Sequence, residues 1–170
     1  MQPDVILLNG TSSAGKSSIA RALQRRASTP LYHVSLDTFT DMFLWEAITD
    51  PAERQRCHEI GVDNFHRALA RFAAGSYGLV VDHLILGTEW DRATRAALAG
   101  RRVHFIGVHC PLPVLLARER ARPDRQPGLA ERQLVHVHRN QTYDFEVNTS
   151  LATPEECADR ILAFIRARTA

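Results

Sequence analysis

Residues Gly10-Thr11-Ser12-Ser13-Ala14-Gly15-Lys16-Ser17 spell G-x-x-x-x-G-K-S, and this stretch constrains the chain more than any other. It follows the apolar run Val5-Ile6-Leu7-Leu8, which reads as a buried strand. It precedes Ser18-Ile19-Ala20-Arg21-Ala22-Leu23, which reads as the opening of a helix. Strand, glycine loop and helix is the setting in which the pattern binds phosphate. The glycines let successive backbone N–H groups point inward as an anion nest, and the helix adds its positive end. The expected nucleotide-binding residues are Gly10, Thr11, Ser12, Ser13, Ala14, Gly15, Lys16, Ser17 and Ser18. Lys16 would reach the terminal phosphates, and the Ser17 hydroxyl would sit on Mg²⁺. A glycine turn that merely caps a helix is the alternative.

Lysine usage supports the phosphate reading. The chain has 21 basic residues, and Lys16 is the only lysine among them. A compact ammonium on a flexible stem enters a narrow nest that a planar guanidinium does not. The remaining composition sets bounds. At 170 residues, 45% apolar and 24% charged, the chain suits one soluble α/β domain over residues 1–170. The formal net charge of +2 gives no reason to expect nucleic acid or an anionic membrane as partner. No apolar run is long enough to span a bilayer. Met1-Gln2-Pro3-Asp4 does not read as a signal peptide, and three scattered cysteines, Cys57, Cys110 and Cys157, fit a reducing cytoplasm.

Five strands are expected to alternate with helices. They are Val5–Leu8, Tyr32–Leu36 ending at Asp37, Gly78–Val81 ending at Asp82, Val103–Val108 and Tyr143–Val147. Pro51 can open a long helix that Gly75 closes, and Thr153 with Glu156 forms a capping box before the last helix. This alternation predicts a three-layer α/β fold of the P-loop kind, a five-stranded parallel sheet flanked by helices. Ligands in such folds bind beyond the carboxyl ends of the strands, where Gly10, Asp37 and Asp82 would meet.

Each candidate has two readings. Asp82 can help hold Mg²⁺ beside Ser17, or it is a loop or capping carboxylate. Asp37 can take the proton of an acceptor hydroxyl, or it caps the following helix. Arg118, Arg120, Arg122 and Arg125 flank Pro123, so residues 118–128 read as an arginine-rich lid or as a solvated face. As a lid, Arg118 would join the nucleotide site, and Arg122 and Arg125 would act with Lys16 on the migrating phosphoryl group. Phe39, Phe43, Leu44 and Trp45 can line an acceptor pocket or belong to the core. His104, His109 and Cys110 lie on or just after a strand with no partner pair evident nearby, so no structural transition-metal site is expected.

With these residues in view, the chain resembles the chloramphenicol phosphotransferase family. The similarity lies in Leu8–Ser17, in Ala121-Arg122-Pro123-Asp124-Arg125, which looks like the family's lid with proline where glycine is usual, in His138, in Tyr143-Asp144 with Glu146-Val147, and in Glu155-Glu156-Cys157-Ala158. The resemblance implies a monomer-like core, ATP and Mg²⁺ as cofactors, and a small-molecule hydroxyl acceptor such as chloramphenicol or another antibiotic. It also implies that Asp37 is the base, with Lys16 and the lid arginines around the phosphates. Two departures stand out. His83 occupies the place of a second aspartate, and Thr38–Val62 does not match. A metabolic or nucleoside kinase of the same fold remains a rival reading, as does a nucleotide-binding regulatory module. An arginine-based nucleic-acid binder is a weaker one, and the oligomeric state, homodimer included, stays open.

Overall fold

A computed structural model describes residues 4–121 and 128–169. The order begins with β1 (Val5–Asn9), α1 (Lys16–Arg26), β2 (Leu31–Ser35), α2 (Leu36–Thr40) and a 3-10 turn at Trp45–Ala47. Then come α3 (Pro51–Ala73), β3 (Gly78–His83), α4 (Thr88–Ala97) and β4 (Val103–His109). The chain closes with α5 (Leu112–Arg120), α6 (Leu129–Val137), β5 (Phe145–Asn148) and α7 (Pro154–Thr169). The five strands form one parallel sheet in the order β2-β3-β1-β4-β5. The expected fold class is the observed one.

Strand alternation sends successive side chains to opposite faces of the sheet. Ile6, Leu8, Val80, Ile106 and Val108 pack with Ile19 and Leu23 of α1, Leu115 of α5 and Ile161 of α7. Val5, Leu7, Leu79, Val81 and Phe105 pack on the other face with Val62, Phe65 and Leu69 of α3. Both faces are thus covered, which explains the near-continuous apolar runs of the central strands. Asp50 caps α3 by accepting from the Ala52 N–H at 3.1 Å, with Pro51 at the first helical position. Thr153 Oγ1 accepts from the Glu156 N–H at 3.2 Å and Glu156 Oε2 accepts from the Thr153 N–H at 2.8 Å, the expected capping box.

Several boundaries differ from expectation, some of them at candidate residues. β2 ends at Ser35, and Leu36 and Asp37 already belong to the first turn of α2. Ser35, not Asp37, holds the N-cap position, which disposes of the capping alternative. β3 continues through Asp82 to His83, so Asp82 lies within the strand. Register with Leu8 of β1 and Ser35 of β2 holds it there. Arg118 and Arg120, assigned to a lid, are in the last turn of helix α5. Arg122 and Arg125 lie outside the described residues.

Candidate active site

The loop between β1 and α1 takes the shape that a phosphate nest needs. Ser13 (φ 61°) and Gly15 (φ 92°) are in the left-handed region, and Gly15 stands at the N-cap of α1. Gly10 is fixed by contact. A Cβ there would come within 2.5 Å of the Val108 carbonyl oxygen, a backbone atom that cannot swing aside. Gly10→Ala is expected to lower stability by about 1–3 kcal/mol, the usual cost of overpacking, as read by urea denaturation. Wild-type stability in that variant would contradict the close approach.

Lys16, Ser17 and Asp82 meet at the end of this loop. The Ser17 hydroxyl donates to Asp82 Oδ2 at 2.6 Å, and Lys16 Nζ donates to the Thr11 carbonyl at 2.9 Å and lies 3.7 Å from Asp82 Oδ1. His33 on β2 brings Nε2 to 3.5 Å from Asp82 Oδ2. Burial alone would push the Asp82 carboxyl up, but the Lys16 ammonium, His33 and Ser17 outweigh it and hold its pKa below the ordinary value. Asp82 is therefore an ionised carboxylate at neutral pH.

Further contacts brace the loop. Arg118 Nη1 donates to Thr149 Oγ1 at 2.9 Å and Nη2 to the Thr149 carbonyl at 2.8 Å. Thr149 Oγ1 in turn donates to the Ala14 carbonyl at 2.8 Å. The Ser12 N–H donates to Gln133 Oε1 of α6 at 2.7 Å. Asn9, fully buried, donates through Nδ2 to the Val137 carbonyl and to Tyr143 Oη, both at 2.9 Å, and accepts from the Ile85 N–H at 2.8 Å. One amide therefore ties β1, the segment after β3, the end of α6 and the residues before β5 together at the rim of the sheet. Glu119, buried on α5, accepts from the Gly128 and Ala130 N–H groups and so anchors the start of α6.

Two cavities open along this rim. The smaller, about 360 Å³, is lined by the loop residues Ser12, Ser13 and Gly15 to Ser18, with Asp37, Asp82, Arg118, Thr149 and Pro154. The larger, about 1160 Å³, lies between α2, α3, α4 and α6. Trp45 and Trp90 line it, whereas Phe39 packs edge-on against Phe65 at the core. Of the aromatic stretch anticipated as pocket lining, Trp45 reaches this cavity and Phe39 serves the core. Among the described residues, Asp37 is the one that lines both cavities.

His83 does not join this site. It follows Asp82 on a strand, so its ring enters the opposite face of the sheet beside Phe65 and His66 and stacks on Trp90 at 5.9 Å and 8°. Both ring nitrogens are buried without a hydrogen-bond partner among the described residues. Burial, then the neighbouring His66 and Lys16, push its pKa down to about 3. Between the ordinary value of 6.5 and about 3, the unfolded chain binds a proton that the folded chain refuses. Stability therefore falls as pH drops through this window, by about 2 kcal/mol at pH 5 from this ring alone. His138, pushed by burial to about 4, adds an effect of the same sign. His83→Leu is expected to shrink the loss of stability between pH 7 and pH 5 by roughly that 2 kcal/mol. An unchanged pH dependence in urea titrations would contradict the buried neutral ring.

Sequence reading missed several of these residues. Gln133, Thr149 and His33 are far from the loop in sequence and carry no motif. His109, for which the sequence shows no partner pair, lies 2.6 Å from Glu146 and stacks on His138 at 4.2 Å.

Comparison with known proteins adds the family. The model of the family described as chloramphenicol phosphotransferase-like protein matches residues 3–166. The chain belongs to the chloramphenicol phosphotransferase-like family. It is 29% identical to a Mycobacterium tuberculosis protein named as a candidate O-phosphotransferase, over 88% of this chain and 76% of that one. Among solved structures it is similar to a candidate kinase from Chloroflexus aurantiacus, with TM-score 0.73, 18% identity and 98% of each chain covered. It is also similar to the Mycobacterium tuberculosis APS kinase CysC, solved with AMPPNP and APS, with TM-score 0.68, 17% identity, and 97% and 98% of the chains covered. At these identities the structural likenesses show the fold, that of the P-loop kinases. Among the described residues, no helix of this family member is long and apolar enough to cross a membrane.

Proposed function

We propose that the protein transfers the γ-phosphoryl group of ATP, with Mg²⁺, to a hydroxyl of a small molecule. The observation that carries this reading is the position of Asp37, whose side of α2 borders both the loop cavity and the larger cavity. A base there can serve a hydroxyl entering from one side and a phosphoryl group held on the other.

The residues fit both cofactors. Ser12 Oγ and Ser13 Oγ are buried in the loop without partners among the described residues, as hydroxyls awaiting phosphate oxygens would be. Ser17 and Asp82 offer two hard oxygen donors, few enough for an ion that keeps several water and phosphate ligands. Mg²⁺ held there would neutralise charge on the phosphate oxygens. Lys16 supplies a fixed positive charge to the terminal phosphates, and the loop N–H groups align the chain of phosphates. Asp37 orients the acceptor hydroxyl and takes its proton as the new O–P bond forms. Arg118 holds Thr149 and thereby the Ala14 side of the nest. Arg122 and Arg125 are the proposed charge-stabilising residues of a lid. Chloramphenicol is the first acceptor to test, and other hydroxyl-bearing antibiotics and metabolites follow.

The test is ADP release with Mg²⁺-ATP, alone and with each acceptor. Acceptor-dependent release with a gain of one phosphoryl mass on the acceptor is the expected result. Tight ATP binding with no acceptor effect across the panel would instead favour a nucleotide-binding regulatory module.

A further inference from the structure

The larger cavity carries a charge pattern that a neutral acceptor does not need. Leu129, Arg132, Gln133, His136 and Asn140 fall on one stripe of α6 and the turn after it, and with Arg139 they line the same cavity. The carboxylate of Asp91, also at the cavity, already accepts from Arg95 Nε at 2.9 Å, so it does not neutralise the arginines of α6. Arg54 is occupied elsewhere. Its Nη1 donates to the Trp45 and Ile48 carbonyls, and its guanidinium lies over the Trp45 ring at 5.3 Å, which fixes that ring at the cavity. Arg132 and Arg139 have no ion pair and no side-chain hydrogen bond among the described residues. Two guanidinium groups thus border a cavity whose other walls include Trp45 and Trp90, the latter stacked between His58 at 6.1 Å and His83 at 5.9 Å.

We infer that the acceptor carries an oxyanion group, a carboxylate or phosphate, which docks on Arg132 and Arg139 while its body lies along Trp45 and Trp90. A planar guanidinium suits bidentate binding of an oxyanion, and two of them at one wall select charge as well as shape. Trp45 under the Arg54 guanidinium and Trp90 against His58 and His83 are rigidly held, and the parts of them that line the cavity offer apolar surface for a flat or lipophilic body. The inference rests on the reading above that this cavity is the acceptor side, and it sets a specificity that the phosphate loop alone does not. The hydroxyl to be phosphorylated would then point toward Asp37, so the anionic group and the reacting hydroxyl sit at different ends of the acceptor.

The full chain, free of nucleotide, is titrated by calorimetry with para-hydroxymethylbenzoate and with the matching benzamide, a pair that differs in charge and little in shape. The carboxylate is expected to bind about tenfold more tightly, a preference that weakens with salt. Arg132→Gln with Arg139→Gln should bring the ratio close to one, while the paired lysine variants, which keep the charge and lose the bidentate fork, should keep only part of it. Both side chains are exposed, so the glutamine variant should melt with the wild type. Absence of a carboxylate preference, including failure of both probes to bind, would overturn the inference. So would a preference that survives in the glutamine variant. Because no nucleotide is present, the result is independent of phosphoryl transfer. A carboxylate preference without any acceptor-dependent ADP release would keep the anion site and sink the kinase reading. Turnover of neutral acceptors without that preference would do the reverse.

Discussion

Lys16→Ala is expected to lower acceptor-dependent ADP release by about three orders of magnitude, in line with the loss of a charge placed on a migrating phosphoryl group. The ammonium is held in place by the Thr11 carbonyl at 2.9 Å and faces Asp82 at 3.7 Å, so it is aimed before any ligand arrives. Its removal also takes away the first of the attractions that hold the Asp82 carboxyl down, so that pKa should rise. Ser17 and His33 still face Asp82, and the sheet does not depend on Lys16, so circular dichroism should report an intact fold. Lys16→Arg should fail to restore turnover, because a planar fork does not enter a nest built for a point charge. Turnover in Lys16→Ala within tenfold of the wild type would remove the loop from the mechanism.

Asp37→Asn separates binding from transfer. The amide keeps the shape of the carboxylate but cannot accept the hydroxyl proton, so turnover should fall by about two to four orders of magnitude. Nucleotide affinity should remain near wild type, since the nest is built from backbone N–H groups, Lys16 and Ser17. This split between kcat and nucleotide binding is the signature of a residue acting on the acceptor. A fully active variant would remove Asp37 as base and leave its position at two cavities unexplained.

The loop and its flanking strand and helix were legible in the sequence because they are local. Eight consecutive residues carry the loop, and the flanking apolar strand and helix are its neighbours in the chain. The sheet was legible for a similar reason, since strands buried on both faces must be apolar nearly throughout. The boundary at Asp37 shifted because it lies where strand passes into helix, and the one at Asp82 because pairing with β1 carries the strand one residue past the carboxylate. No local signal distinguishes the last strand residue from the first helical one at Ser35-Leu36-Asp37. The bracing contacts could not be read, because Gln133 meets Ser12 and Thr149 meets Ala14 only after the sheet brings distant segments together. His83 illustrates a third case. Its type was noticed as a departure, but its meaning came from strand alternation, which turns it away from Asp82 and onto Trp90. The larger cavity, proposed for the acceptor, was the least legible. Its lining comes from α2, the Trp45 turn, α3, α4 and α6, and single residues from five segments leave no pattern along the chain.

The most direct test of the central claim follows the phosphoryl group itself. ATP labelled on the γ-phosphoryl group is incubated with the protein, Mg²⁺ and each hydroxyl acceptor, and the acceptor is weighed by mass spectrometry. The account predicts that the label appears on one acceptor as a phosphate ester, in equal amount with unlabelled ADP, and that it is lost in Asp37→Asn. Label released only as inorganic phosphate, at a rate no acceptor changes, would contradict it.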